Sequence, residues 1–484
     1  MPSATRHLCA LLAFTAAATE MVSAQATVTA PVATVTDAVF RSEWTGPQAD
    51  RPDFVGMVPT SEGIEPVEDM ATKLREGLWL GSLRVRPGVG AGYAYSNRNY
   101  QGQTTTADSD QSPYFSPTLG LEYGRATGPW SISARAGGGY TWYLNPDYTP
   151  DGTGANRNPF NGTASLGIEH SGLRHKFGLD ASASLGNGQN IQGGGTSTQL
   201  QAIVGADYTY ELSEFVTTGS YVTYNNWLTG FEDGNINSSD ISSLRGGGSI
   251  DWLFSGKATV GLKTDVGRLT QNVSGGLATR EFVEAMVPVV YSLTSKVLIN
   301  AGLGARYTQD PNIPDASSQY TGLGPVYMAG ATYTPTEKTS VRLFTSFEGF
   351  DIVPSYGLTL TWRPRVVTSF TLSAYQNQNF SITTLDQFQV NRGIVAGVQQ
   401  MLFSRLTTSL SGGWQQTENI SLSDDVPNSN NYSYGFVSAQ ARWALNSWAY
   451  WQATIMTSTG NQVGPGSSST YPWTTASIGL NLLF

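Results

Sequence analysis

The sequence predicts an all-β chain: a transmembrane, antiparallel, up-and-down β-barrel of the outer-membrane kind, with about 20 strands and a range of about 18–22. Three observations predict it. Residues 476–484 place Ile478, Leu480, Leu482 and the terminal Phe484 on every second position. Such alternation is the signature of a strand with one apolar face, and a terminal aromatic on that period suits a last strand read by insertion machinery. Charged residues are only 13% of the chain, while glycine is abundant at 54 residues. Soluble domains carry about 25% charge. A barrel in lipid needs less, because its outside is apolar and its inside can use Ser, Thr, Asn and Gly. Outside the leader no run of 18 apolar residues occurs, so the chain does not cross a membrane by helices.

The elements follow in order. Residues 1–24 read as a signal peptide: Arg6 and His7, an apolar core from Leu8 to Ala18, then Val22, Ser23 and Ala24 as a small-residue cleavage site. Cys9, the only cysteine, lies at the start of that core. The mature chain therefore has no disulfide or thiolate chemistry. Residues 25–77 read as an acidic, mostly disordered periplasmic segment, with nine acids and four bases between 27 and 77. A short helix from Pro66 to Glu76, stopped by Gly77, is expected at its end. About 50 residues are too few for the plug of an energised transporter, and no separate passenger domain stands before the barrel.

The barrel is expected over residues 78–484. Short turns recur near Gly128-Pro129, Ser171-Gly172, Leu212-Ser213, Ser255-Gly256, Thr294-Ser295, Pro335-Thr336, Pro364, Ser404 and Asn446-Ser447. Most intervals are about 40 residues, the length of one long hairpin. Several turns share a local pattern, an apolar residue, then Ser, Thr or Asn, then a charge. Looser segments between them, at 97–111, 145–160, 188–195, 228–237, 309–317, 378–387, 418–430 and 461–469, are expected to be the longer extracellular loops. Gly77 to Pro87 is read as part of the opening strand. Trp130, Trp142, Trp227, Trp362, Trp443, Trp448 and Trp451 fall near strand ends, where an aromatic girdle is expected.

Parity assigns the charges. Leu83, Val85, Val89 and Ala91 alternate with Arg84 and Arg86; Val260, Leu262 and Val266 alternate with Lys263 and Asp265. An Arg or Lys on a lipid face costs about 2–4 kcal/mol at mid-bilayer, so the charged parity must face inward. The predicted lumen-lining cations are Arg84, Arg86, Arg135, Lys176, Arg245, Lys263, Arg306, Arg342, Arg363 and Arg442. The acids are Glu122, Glu169, Asp180, Asp207, Asp251, Asp265 and Glu348, with Tyr375 and Tyr450 as inward aromatics. Two uses stay open: opposed rows that set a transverse field selecting hydrated polar solutes, or charges that only satisfy one another.

No catalytic constellation is visible and no metal or cofactor is expected. His170 and His175 flank one turn and read as polar rim residues. Asp108/Asp110, Glu232/Asp233 and Asp424/Asp425 could offer oxygen ligands to Ca²⁺, but none has the twelve-residue calcium pattern, and solvated surface charge is the expectation. The triple glycines at 137–139, 193–195 and 246–248 precede no helix and are not phosphate loops. A net charge of −9 argues against nucleic acid as a partner.

The phrase Gly77-Leu78-Trp79-Leu80-Gly81, followed by Arg84, Arg86 and Pro87, resembles the opening of the β-barrel porin 2 family. The resemblance would cover roughly residues 66–484, and only Arg84 and Arg86 match as motif positions. It implies an outer-membrane barrel of the exopolysaccharide or capsule type. The expected partners are outer-membrane lipid and lipopolysaccharide, the barrel insertion machinery, and a polysaccharide with periplasmic export partners. A general diffusion porin for small polar solutes is the alternative. A structural or surface-binding barrel with a blocked lumen is a further one.

Overall fold

In the computed structural model the described residues are 78–98, 109–124, 128–142, 144, 160–189, 196–230, 239–273, 276–309, 321–348, 353–380, 387–403, 405–421, 431–446, 448–464 and 467–483. The expected leader and periplasmic segment, residues 1–77, lie outside them, as does Phe484.

Strands follow one another as an unbroken meander: β1 (Leu78–Leu80), β2 (Leu83–Arg98), β3 (Ser109–Gly124), β4 (Trp130–Thr141), β5 (Phe160–Ser171), β6 (His175–Gln189) and β7 (Thr196–Ser213). Then come β8 (Val216–Gly230), β9 (Ser239–Ser255), β10 (Ala258–Val273), β11 (Gly276–Thr294), β12 (Val297–Gln309), β13 (Gly322–Thr336) and β14 (Thr339–Glu348). The last seven are β15 (Ser355–Arg365), β16 (Thr368–Phe380), β17 (Gln387–Leu402), β18 (Leu406–Ser421), β19 (Asn431–Ala444), β20 (Ala449–Gly464) and β21 (Ser467–Leu483). Each pairs antiparallel with the next, and β21 pairs with β2 from Gly88↔Leu483 to Arg98↔Trp473. That closing pair makes a barrel of 20 strands, β2 to β21. Ile478, Leu480 and Leu482 lie at the seam opposite Tyr93, Ala91 and Val89.

The opening residues correct the sequence reading. Leu78–Leu80 do not continue β2 but fold back on it as β1, with Leu80 opposite Leu83 and Leu78 opposite Val85. Gly81 has φ +67°, the left-handed conformation a two-residue hairpin of this kind needs at its first central position. On its other side β2 already pairs with β3 through the same residues, so β1 occupies the stretch of β2 that β21 does not reach.

All nine short turns fall within a few residues of their expected places, and the recurring turn pattern has a physical cause. Ser213 Oγ accepts from the backbone N–H groups of Phe215 and Val216 at 3.2 and 3.1 Å. Ser255 does the same for Lys257 and Ala258 at 3.3 and 3.1 Å. Thr294, Thr336 and Asn446 accept from Lys296, Lys338 and Trp448. The short polar side chain supplies the acceptor that a tight turn leaves its backbone without. Six of the eight expected opposite connections are shorter than expected, while those at 142–159 and 310–321 are longer. Strands run into most of the anticipated loops, and β20 and β21 together absorb nearly all of 461–469. Two further tips, at 274–275 and 349–352, fall outside every expected loop.

Burial is inverted relative to a water-soluble domain. On β10 and β12 the apolar Leu262, Val266 and Leu303 are 49%, 54% and 72% exposed, while the alternating Asp265 and Asn300 are 1% and 3% exposed. The outward face is for lipid and the packed face is inside. Trp130, Trp252, Trp362, Trp443 and Trp451 are exposed on the outward parity near the short turns, Trp362 stacking on Phe370 at 5.1 Å. Trp142 and Trp448 are also exposed; the side chain of Trp227 lies outside the described set. Higher on the wall the outward face turns polar. Arg268 pairs with Glu281 (3.7 Å), and Arg392 with Glu418 (2.9 Å) and Gln376 (2.8 Å). These pairs mark the upper edge of an apolar band, which in such barrels is about 25 Å tall.

Candidate functional site: the inner wall

The densest chemistry on the inner wall spans β8 to β14. Cross-strand register brings Tyr221 opposite Gly247 and Gly247 opposite Asp265, so three strands deliver their groups to one height. Gly247 is required there: a β-carbon would overlap both the Asp265 carboxylate and the Tyr221 ring. Asp265 accepts from Tyr221 Oη at 2.6 Å and from Arg245 Nη2 at 2.7 Å, and Lys263 Nζ lies 2.9 Å away. The aspartate side chain is 1% exposed and both cations are 8% exposed. Next to it Glu284, opposite Asp265 on β11, receives Arg306 at 2.5 Å, and Arg306 also reaches Glu348 on β14 at 2.7 Å. The Phe282 ring joins the two halves, with Arg306 Cζ 4.5 Å and Arg245 Cζ 5.4 Å from its centre. Cation–π contacts of this kind strengthen where water is excluded. The result is a continuous, internally paired charge network along one wall.

Strand parity puts every charge predicted to line the lumen on this inner face. Arg84 and Arg86 share Glu122 across β2 and β3 at 3.7 and 2.9 Å. Arg135 on β4, Asp180 on β6 and Arg342 on β14 are exposed there, and Asp207 on β7 is half-buried. Asp251 is buried near the lower end of β9, and Arg363 lies near the lower end of β15. Arg442 on β19 lies over the Tyr450 ring at 4.8 Å and donates to Gln452 at 3.3 Å. The shortest ion pairs join groups on one strand or on strands one or two apart along the wall, rather than opposing rows across the barrel. Sequence reasoning missed Glu284, Phe282 and Tyr221. On β11 the inward positions include Met286 and Val290, which blurs the alternation; the unbroken outward series Val283, Ala285, Val287, Val289 and Tyr291 was the usable signal.

The other sector of the wall, β16 to β21, differs in kind. Among the described strand residues its three charges are Arg392 and Glu418, which face outward and pair, and Arg442, which faces inward near the short turns. The remaining inward side chains are mainly Ser, Thr, Asn, Gln and aromatic. Tyr375 Oη donates to Gln415 at 3.0 Å, and Thr417 Oγ1 to Asn391 at 2.6 Å. At the seam Tyr114 of β3 lies across Gly92 of β2 and Gly479 of β21; a β-carbon on either glycine would overlap its ring.

His170 and His175 stack at 5.0 Å beside Trp130 at the β5–β6 turn. Of the acidic loop groups, Glu232, Asp233, Asp424 and Asp425 lie outside the described residues, as do Asp108 and the side chain of Asp110. Among the described residues no group of three or more metal-ligating side chains is present.

A closed meander with an apolar outer band, an aromatic girdle and a polar inner wall defines an outer-membrane β-barrel, and the outer membrane is its location. No family model matches the sequence, and no curated protein matches it. Among solved structures the chain is similar to the FrpB iron transporter from Neisseria meningitidis, at 9% identity and a TM-score of 0.48, covering 86% of this chain and 83% of that one. It is also similar to the siderophore receptor PiuA from Acinetobacter baumannii (11%, TM-score 0.46, 84% and 82% covered). A third is the ferric-catecholate import receptor Fiu from E. coli K12 (9%, TM-score 0.46, 81% of each chain).

Proposed function

We propose that this barrel is an outer-membrane conduit for hydroxyl-rich solutes, with a polysaccharide bound for the cell surface as its cargo. The observation that carries the reading is the inner wall: polar over most of its circumference, with its deepest charges already paired to one another. Such a wall holds a water-like path without gripping ions strongly, as passage requires. The resemblance of the opening segment around Arg84 and Arg86 to a family of exopolysaccharide-type barrels adds support for the cargo. No nucleophile constellation among the described residues speaks for an enzyme.

Refolded protein in a planar bilayer should give a large, steady conductance that oligosaccharides block. A silent bilayer would sink the conduit. Deleting the gene should deplete surface carbohydrate, and unchanged surface carbohydrate would sink the cargo. The internal pairing of Asp265, Glu284 and Glu348 also favours a second reading, a general diffusion porin. That reading expects open conductance with equal passage of glycans and other small polar solutes.

A further inference from the structure

The two sectors of the inner wall have different chemistry, and the difference assigns a ligand class. We propose that the sparsely charged sector, β16 to β21 with residues 88–94 of β2 and 112–118 of β3 beside it, is a binding track for a neutral glycan, and that anionic glycans are not its ligands. The inference rests on the conduit reading and specifies which wall the cargo follows.

A neutral sugar offers hydroxyls that both donate and accept, together with C–H faces that lie on aromatic rings. The sector presents the matching groups: inward Ser, Thr, Asn and Gln rows, with Tyr114 among them at the seam. A polymer bearing carboxylates or sulfates would need unspent cations. The only inward cation among the described residues of this sector is Arg442, already over Tyr450 and donating to Gln452. On the charged wall the main cations are held by Asp265, Glu284 and Glu348.

A second observation points the same way. Ser112, Thr454, Ser458 and Thr475 face inward, are at least nine-tenths buried, and their hydroxyls have no hydrogen-bond partner within the protein. They cluster across the seam: Thr454 lies opposite Ser477, Ser477 opposite Ala94, and Ala94 opposite Ser112. A buried hydroxyl left unpaired costs about 1–3 kcal/mol, so Ala or Val would serve the packing better. Thr209 and Thr223 on β7 and β8 are buried and unpaired as well, but the four at the seam gather in one patch, where partners that come from outside the wall, as the hydroxyls of a sugar would, account for their retention.

The test uses the full barrel, a neutral maltoheptaose probe and an anionic oligogalacturonate of equal length. The neutral probe should half-block the current at a concentration about tenfold lower than the anionic one, a difference of one hydrogen bond's order. Gln440→Glu and Asn481→Asp add charge to the track without changing side-chain shape. Each should raise the half-blocking concentration of maltoheptaose about tenfold, while Thr459→Asp, on the outward face of β20, should leave it unchanged. Equal or better block by the anionic probe, or no response to the two track substitutions, would overturn the assignment. Should the bilayer stay silent, the conduit reading fails by itself, and calorimetry in detergent micelles then decides the track. Binding of maltoheptaose lost in Gln440→Glu would sustain it; no binding, or binding unaffected by that change, would refute it.

Discussion

Asp265 is the position where the inner wall is most exposed to a single substitution. Asp265→Asn keeps the side-chain shape and removes one negative charge between Arg245 at 2.7 Å and Lys263 at 2.9 Å. Both cations are 8% exposed and the aspartate 1% exposed, so water screens little. At an effective dielectric constant near 20, one charge pair about 4 Å apart is worth about 4 kcal/mol. Breaking a buried pair by deleting one partner costs about 3–5 kcal/mol, because the surviving charge stays desolvated. Here two cations survive and repel each other, with Glu284 as the nearest relief. The expected loss is therefore about 3–5 kcal/mol of barrel stability. Urea unfolding in lipid vesicles, followed by the fluorescence of the chain's 12 tryptophans, reads this as a lower midpoint at constant slope. Adding Lys263→Met removes one stranded cation and should recover a substantial part of the loss, a coupling that a double-mutant cycle measures. A loss under about 1 kcal/mol, the worth of a hydrated surface pair, would mean that the cluster is wetted and that the argument from burial is wrong.

Three further outcomes are expected. Gly479→Leu should prevent the seam from closing, seen as loss of the folded, heat-modifiable band in electrophoresis, and Tyr114→Ala should restore it by vacating the overlapped space. Leu262→Arg, on the outward face of β10, should destabilise the barrel by about 2–4 kcal/mol, whereas Thr270→Arg, near the polar upper edge marked by Arg268, should cost well under half as much in the same unfolding assay. Glu284→Gln should cost less than Asp265→Asn, since Arg306 keeps Glu348 at 2.7 Å; equal losses would show that the two halves of the network act as one.

Much of this barrel can be read from the chain because lipid is an unforgiving solvent. Every outward position over the apolar band has to be apolar or small, so parity alone puts Lys263, Asp265 and Arg306 on the inner face. The short turns are legible because their geometry calls for an acceptor side chain, and Ser213, Ser255 and Thr294 supply it. What parity does not reveal is partnership. That Asp265 stands level with Tyr221 and within reach of Arg245 depends on hairpin register, fixed by the turns and by the irregularity at Ala258 rather than by composition. The inner wall is also less legible than the outer. Met286, Val326 and Met328 cluster there without penalty, a patch that hydrophobicity alone would assign to the lipid side. The fold-back at Leu78–Leu80 is invisible to periodicity, because those leucines keep the same alternation whether they extend β2 or pair with it.

The stagger of the closing strands gives β1 its consequence. β21 reaches only as far as Gly88 on β2, while β3 pairs with β2 down to Leu83. The stretch from Leu83 to Val85 would otherwise be a bare row of backbone donors and acceptors, the surface that recruits strands from other chains. β1 covers it, and Pro87, with no N–H of its own, sits in the short interval between β1 and β21. β1 joins β2 through a two-residue turn, so it can form early, by local contacts alone. The last strand has to wait for the whole barrel. During that interval β1 blunts one end of an open edge, so these three residues protect the unfinished protein against self-association as well as trimming the finished one.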